Sequence, residues 1–542
     1  MTDKTVIVIM DTTLRDGEQT SGVAFSASEK LDMARRLLEE VGVNRIEVGS
    51  ARVSKGEFES VSMICDWVNK YAPWRERSVE VLGFCDNGAS IEWIKTAGGH
   101  VINLLAKGSE KHCRGQLGKT PEEHWKDVYD NVVMAYKAGL YVNLYLEDWS
   151  NGIQESPEYV FGMLDYLKPL TKTFWETPDD DSMCQGWERT HINRIMLPDT
   201  LGILTPKQTR EFVGQMVKRY PDIIFDFHAH NDYDLAVANV LAAVEAGVHG
   251  IHTTVNGLGE RAGNASLSSV VAVLNDMASG KEVQVKEESI NAISRIVESY
   301  SGIATGSNTP IVGENVFTQT AGVHADGDKK GKLYVNPLLP ERFGRNREYA
   351  LGKMSGKANI EQNLKILGIS LSDNDMRRVT KRINEMGDKK EHVTMDDLPY
   401  IIADVLHHST PTESIKLLSY MVSTAYGLHP QAVVKLEIHG QEYEESATGD
   451  GQYDAFVRAV RHIYRNRLSR QFPWLANYIV TIPPGGRTDA LVQTSITWEF
   501  EGKTYRTRGL DADQTEAAIK ATIKMLNLIE ERYENEDCSS GR

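Results

Sequence analysis

The chain has 542 residues, 41% of them hydrophobic, enough to build large cores and to argue against a disordered protein. Sixty Lys and Arg against 76 Asp and Glu leave a formal net charge of −16, which argues against a general DNA- or RNA-binding surface. The first residues carry no basic, apolar leader, no run of 18 apolar residues occurs, and the five cysteines (65, 85, 113, 184 and 538) have no CxxC spacing, so a cytoplasmic protein with reduced thiols is expected.

Eight short apolar runs alternate with amphipathic segments over the first 280 residues. They lie at 6–11, 45–50, 79–85, 101–107, 141–147, 194–200, 223–229 and 250–256. The segment after the first run places Leu31, Ala34, Leu38 and Val41 near a 3.6-residue period and reads as a helix. Strand then helix, eight times over, predicts an α/β chain built on a (β/α)8 TIM barrel; an open doubly wound sheet is the alternative. Asp11, Glu47, Glu147, Asp199, Thr200 and His228 fall at or near strand ends, which a barrel gathers on one rim. Residues 171–191 read as a polar, exposed excursion between strands five and six. Residues 307–332 are loop-like and 337–425 look mainly helical. From about 430 a strand–strand–turn–helix pattern occurs twice, which predicts a compact α+β unit of two similar halves. The expected layout is a barrel domain over 1–285, mostly helical linker subdomains over 286–429, and a C-terminal α+β domain over 430–535.

His228 and His230 stand two apart at a strand end, so both imidazoles share a face and can reach one ion. Asp16, Asp232 and Asn264 also lie at predicted strand-to-helix junctions, and together such donors suit a divalent cation with open water positions. Taken alone, the histidine pair also reads as two ordinary core or surface residues. Arg15 beside Asp16 suits an oxyanion next to a metal, or a plain ion pair. The Gly257, Gly259 and Gly263 segment follows strand eight and is not GxGxxG, which disfavours a Rossmann nucleotide site.

LRDGEQTSGVAFSASEK (14–30), LPDTLG (197–202), HAHNDYDLAVANVLAAVEAGV (228–248), HTTVNGLGERAGNASL (252–267) and VFTQTAGVHADGDKKG (316–331) resemble the signatures of the Claisen-condensing TIM-barrel acyltransferases, the isopropylmalate, homocitrate and citramalate synthases. The likeness runs from about residue 5 to 535. It is nearest the citramalate-forming branch through NLLAKGS (103–109), YLEDWSNG (145–152) and IPPGGRTDA (482–490). The resemblance implies a divalent metal ion (Zn, Mn or Mg) on Asp16, His228, His230 and Asn264, acetyl-CoA as co-substrate, and catalytic roles for Arg15, Glu147, His324 and Tyr334. It implies an oxo-acid pocket of Leu82, Leu105 and Tyr145, with Thr200 a further substrate contact. The implied reaction joins acetyl-CoA, pyruvate and water to give (R)-citramalate and CoA on a route to isoleucine. The alternative product is 2-isopropylmalate, made from 2-oxoisovalerate. Asn103 departs from the His that many isopropylmalate and homocitrate synthases carry there.

The resemblance also implies a homodimer in which His324 and Tyr334 reach the partner's site, and a C-terminal effector-binding domain inhibited by isoleucine, or by leucine for the alternative product. Lys329, Lys330 and Lys332 could meet the phosphates of coenzyme A or form a solvated loop. The Gly449-Asp450-Gly451 and Pro483-Pro484-Gly485-Gly486 turns are candidate effector contacts, or simple turns. Two readings of other classes are a metal-dependent aldolase or lyase on the same barrel and an effector-binding protein without chemistry. Retention of Arg15, Asp16, both histidines and Asn264 argues against the second.

Overall fold

Residues of alternating character along eight strands build the barrel in this computed structural model. The strands are β1 (Val8–Asp11), β2 (Arg45–Ser50), β3 (Val79–Phe84), β4 (Val101–Lys107), β5 (Tyr141–Glu147), β6 (Arg194–Asp199), β7 (Phe225–Ala229) and β8 (Gly250–Thr253). All pair in parallel in chain order, and β8 pairs with β1 to close the ring, Thr253 opposite Asp11. A helix follows each strand: α1 (Ala27–Arg35), α2 (Lys55–Tyr71), α3 (Ala89–Thr96), α4 (Pro121–Lys137), α5 (Pro157–Leu167), α6 (Pro206–Arg219), α7 (Ala236–Ala246) and α8 (Leu267–Met277), and α9 (Ile290–Ser301) comes after the last of them. Local chemistry starts several of them. Ser26 with Glu29, Thr120 with Glu123 and Thr205 with Gln208 form capping boxes on α1, α4 and α6, satisfying orphan amides at each N-terminus.

The structure describes residues 4–171, 174–176, 187–189, 191–319, 333, 335–353, 355–366, 369–388, 393, 398–406, 414–481, 492–501, 503–511 and 513–540. Contacts divide the chain into two units, Met1–Thr318 with Tyr334–Glu348, and Gln319–Leu333 with Tyr349–Arg542. His324, Tyr334, Lys329, Lys330, Lys332, the Pro483–Gly486 turn and most of the 171–191 excursion lie outside the described residues. In that excursion Phe174–Glu176 pairs antiparallel with Trp187–Arg189. Among the described residues no helix is long and apolar enough to cross a membrane, and Cys65, Cys85 and Cys113 are free thiols.

Two faces of each strand do different work. Ile9, Ile46, Val48, Val81, Ile102, Leu104, Val142, Leu144, Ile195, Leu197, Phe227 and Ile251 belong to the main core shared with the helices. Full burial of each such side chain is worth about 1.5–3 kcal/mol. The intervening positions face the barrel axis and are largely polar. At the base Arg45 donates to Glu80 at 2.6 Å and to Asp226, and Arg194 reaches both oxygens of Asp226 at 3.1 and 3.2 Å. Burial would raise the Asp226 carboxyl, but Arg194 and then Arg45 outweigh it and hold it below the ordinary carboxylate range.

In the second unit, helices α10 (Lys357–Ile366), α11 (Asp373–Asp388) and α12 (Leu398–Leu406) carry Ile360, Leu364, Val379, Ile383 and Leu398 in a small core. A second core joins two three-stranded antiparallel sheets, β9 (Ile415–Ser423), β10 (Gln431–Ile438) and β11 (Gln441–Thr448), and β12 (Trp474–Thr481), β13 (Val492–Phe500) and β14 (Lys503–Asp511). Helices α13 (Gln452–His462) and α14 (Gln514–Ser540) follow the respective sheets, so each half is strand–strand–strand–helix. Strand β9 corrects the expectation that 337–425 is mainly helical and that the unit begins near 430. Leu417, Leu418, Met421 and Val422 fit a helical period as well as a strand, and only pairing with β10 decides between them.

Asp226 neutralises two guanidinium groups, so Asp226→Ala is expected to destabilise the barrel by about 3–5 kcal/mol through uncompensated buried charge. Urea unfolding checks this, and an unchanged midpoint would exclude the network as a stability element.

Candidate metal centre and active site

The C-terminal ends of β1 and β7 bring three donors together, and the loop after β8 adds a fourth residue beside them. Ligand atoms of Asp16, His228 and His230 all lie within 4.8 Å of one another, and all three residues are buried. His228 Nε2 is 3.5 Å from Asp16 Oδ2, and the two imidazoles cross edge to face at 5.0 Å. Asn264 joins them, its amide nitrogen donating to Asp16 Oδ1 at 3.1 Å and to the Leu258 carbonyl at 3.0 Å. The glycines of the β8 loop permit this approach. A Cβ on Gly263, at φ 79°, would collide with the Gly257 carbonyl, and one on Gly259 with the Asn264 amide. Arg261 ties the loops after β6, β7 and β8 together, donating to Asp232 at 2.7 and 3.0 Å and to the Thr200 carbonyl at 2.8 Å. Asp232 is therefore paired with Arg261 and lies outside the donor group.

Electrostatics prepare these donors. Burial would raise the Asp16 carboxyl, but Arg15, then His228 and His230, hold it below the ordinary range. Burial pushes both imidazoles down, with Asp16 in partial opposition. The set is thus a carboxylate and two neutral imidazoles. His230 Nδ1 and Asn264 Oδ1 are buried and find no hydrogen-bond partner among the described residues. Two orphaned lone pairs beside a carboxylate fit a divalent cation, which would satisfy groups otherwise costly to bury.

Arg15 adjoins this group and is anchored on three sides. Its guanidinium donates through Nε to Glu47 Oε2 at 2.7 Å and through Nη1 to Asp16 Oδ2 at 2.9 Å, Nη2 lies 2.6 Å from Glu47 Oε2 as an ion pair, and the group is 5.9 Å from the Tyr145 ring centre. Glu47 also accepts from Thr12 at 2.7 Å and from the Asn103 amide at 2.8 Å, and Asn103 accepts from Asn143. The departure from His at position 103 thus supplies a donor that fixes Glu47. Sequence reading noted Glu47 only as a residue near a strand end. Its place two residues after Arg45, on the same strand face, was the available signal.

Tyr145 lies beneath the donor group, 6.3 Å from His228 ring to ring, and packs in a small cluster with Met10, Leu82 and Met196, against which Leu105 also rests. The three expected pocket residues are therefore neighbours. Glu147, two positions further along β5, pairs with Lys107, whose part had no separate sequence signal. Thr200 accepts from the Asp148 backbone N–H at 2.9 Å, so the ends of β5 and β6 are joined beside Glu147. A divalent-ion site, a fixed guanidinium and a carboxylate on one barrel rim can polarise a carbonyl, stabilise a developing oxyanion and handle a proton.

Comparison with known proteins agrees with this chemistry. The HMGL-like family model matches residues 6–297, the homocitrate synthase post-HMGL domain-like model residues 311–391, and the LeuA allosteric (dimerisation) domain model residues 392–530. The chain is 35% identical to a Methanopyrus kandleri protein named "Probable 2-isopropylmalate synthase" over 97% of its own length and 98% of that protein's. It is 32% identical to (R)-citramalate synthase CimA of Methanocaldococcus jannaschii (97% and 99% covered) and 32% identical to that organism's 2-isopropylmalate synthase (96% and 94% covered). The chain belongs to the HMGL-like family, whose members are typically divalent-metal dependent and use acetyl-CoA or CoA substrates. It is an acetyl-CoA-dependent condensing enzyme of the acyltransferase type.

Asp16→Ala or His228→Ala is expected to reduce bound divalent metal to background after dialysis, by mass spectrometry, while circular dichroism stays that of the parent. Full metal content in both variants would remove them from the donor set.

Proposed function

We propose that this condensing enzyme, whose full-length relatives are synthases that join acetyl-CoA to a 2-oxo acid, takes pyruvate and water to give (R)-citramalate and CoA. The observation that carries the choice of pyruvate is the floor of the site. Tyr145, Leu82, Met10 and Met196 are buried side by side and Leu105 packs against them. These bulky side chains take up space that the branched chain of 2-oxoisovalerate would need. Forcing extra methyl groups into a filled pocket costs about 1–3 kcal/mol, or roughly 10–200-fold in discrimination.

In this reading Asp16, His228, His230 and Asn264 hold the divalent ion, which when bound supplies Lewis acidity to the 2-oxo acid's ketone. Arg15, kept charged by Glu47 and Asp16, donates to the oxygen on which negative charge develops. A base among Glu147, His324 and Tyr334 takes a proton from the acetyl methyl group, the resulting enolate carbon bonds to the ketone carbon, and water then cleaves the thioester to release the CoA thiol. Thr200 contacts the oxo acid. The protein acts as a homodimer, and isoleucine binds its C-terminal α+β region as inhibitor.

Condensation with 2-oxoisovalerate is the second reading, favoured by the 2-isopropylmalate synthases among the relatives. Measuring CoA release with a panel of oxo acids separates the two. Pyruvate is expected to give the highest kcat/KM, ahead of 2-oxobutyrate and 2-oxoisovalerate, and Tyr145→Ser is expected to move preference toward the branched acid. Higher kcat/KM for 2-oxoisovalerate in the parent enzyme would replace the first reading with the second.

Regulation follows the product. Calorimetry on the full chain is expected to show isoleucine binding that weakens turnover, and substrate must in turn weaken isoleucine binding, because coupling is reciprocal. Binding of leucine alone would point to the second reading, and binding of neither amino acid would end the regulatory assignment.

A further inference from the structure

We infer that His252 sets the oxo-acid selectivity of the site by pinning the hydroxyl of Tyr145, a role that rests on Tyr145 being a wall of the oxo-acid pocket. Strand β8 places His252 on the inner face of the barrel, two residues past Gly250 and across the axis from β5. Its Nδ1 lies 3.1 Å from the Tyr145 hydroxyl, and the rings meet edge to face at 5.6 Å and 76°. Its Nε2 lies 3.5 Å from Asp226 Oδ2, the carboxylate that Arg45 and Arg194 hold at the barrel base. Tyr145 is 3% exposed and His252 1% exposed, so water does not compete for either.

The direction of this hydrogen bond follows from the neighbours. Nε2 is buried and makes no hydrogen bond among the described residues, its charged neighbour being Asp226; a proton carried there lies beside that carboxylate and leaves Nδ1 with its lone pair toward Tyr145. Burial and the charge of Glu47 push the Tyr145 phenol well above its ordinary pKa, so its O–H stays protonated and donates. The tip of the ring is thereby held by a buried imidazole that sits beside the Asp226 carboxylate. A phenol ring on its own can tilt about its side-chain bonds; one tied at its tip cannot do so without stranding a buried donor. His252 also crosses His228 at 5.4 Å, so the imidazole that pins the wall packs against the imidazole in the donor group.

Selectivity, more than turnover, is then what the pin supplies. With the pin removed, Tyr145 can yield to a longer chain, and the ratio of kcat/KM for pyruvate to that for 2-oxobutyrate falls. The loss of one hydrogen bond corresponds to about three- to tenfold in this ratio. A group that only helped the barrel fold would lower kcat/KM for every oxo acid in the same proportion.

The experiment measures kcat/KM for pyruvate, 2-oxobutyrate and 2-oxoisovalerate in the parent, Tyr145→Phe, His252→Leu, His252→Asn and the double variant Tyr145→Phe/His252→Leu. The ratio is expected to fall in Tyr145→Phe and in His252→Leu, and no further in the double variant, because both remove the same bond. Asn can place its amide oxygen where Nδ1 stood, so His252→Asn is expected to restore most of the parent ratio. Should His252→Leu fail to fold, Tyr145→Phe decides by itself. An unchanged ratio in Tyr145→Phe, an equal fall for all acids in His252→Leu, or additive effects in the double variant overturns the proposal. A parent enzyme that prefers 2-oxoisovalerate defeats the choice of pyruvate but leaves the pin to be judged on the change in ratio. If Tyr145→Ser alters no ratio, the pocket assignment fails and takes the pin with it.

Discussion

Charge placed inside a closed barrel must be neutralised there, and this constraint organises the catalytic unit from base to rim. Asp226 takes Arg45 and Arg194 at the base, Glu47 takes Arg15 midway, and Asp16 takes Arg15 at the top. Replacing such pairs by well-packed hydrophobic residues is often neutral or stabilising, so the polar interior is poorly explained by stability alone. What it does supply is position. Each charged group has its neighbours fixed, and the last members of the chain are the groups that face the rim.

Position matters because little of the proposed chemistry depends on unusual side chains. A guanidinium, a carboxylate, two imidazoles and an amide become a reactive site when reorganisation has been completed in advance. Glu47 illustrates this. It accepts three hydrogen bonds, one each from Arg15, Thr12 and Asn103, and a second guanidinium nitrogen of Arg15 lies 2.6 Å away as an ion pair, so the guanidinium cannot turn away without losing two contacts to Glu47. The glycines of the β8 loop act in the same sense, since only their lack of a Cβ lets the Asn264 amide sit against Asp16.

The second unit follows a different logic. Its two halves repeat strand–strand–strand–helix, and in β10 the buried residues Ala432, Val434, Leu436 and Ile438 alternate with half-buried ones. Alternation of this kind gives each sheet one apolar face, and Phe456, Val460 and Ile463 of the first half and Ile519, Leu526 and Ile529 of the second share the resulting core. The Gly449-Asp450-Gly451 turn joins β11 to α13, whereas residues 483–486 fall in the chain between β12 and β13, so the two candidate effector turns do not occupy equivalent points of the two halves.

Much of this was legible in the sequence. Eight apolar runs became eight strands because outward residues such as Ile46, Val81 and Leu144 must be buried against helices, and that requirement is local and periodic. Asp16, His228, His230 and Asn264 were legible as a group through their motifs and their places at strand ends. Strand β9 was not, because its apolar spacing suits two periods and its hydrogen bonds come from another strand. Glu47, Lys107 and His252 were not assigned roles for the same reason. Glu47 meets an arginine 32 residues earlier, and His252 meets a tyrosine 107 residues earlier. The sequence by itself determined which residues face inward, since side-chain alternation is a property of each strand alone. Only the tertiary structure decided which inward residues meet, because closure and register of the barrel are settled by all eight strands together.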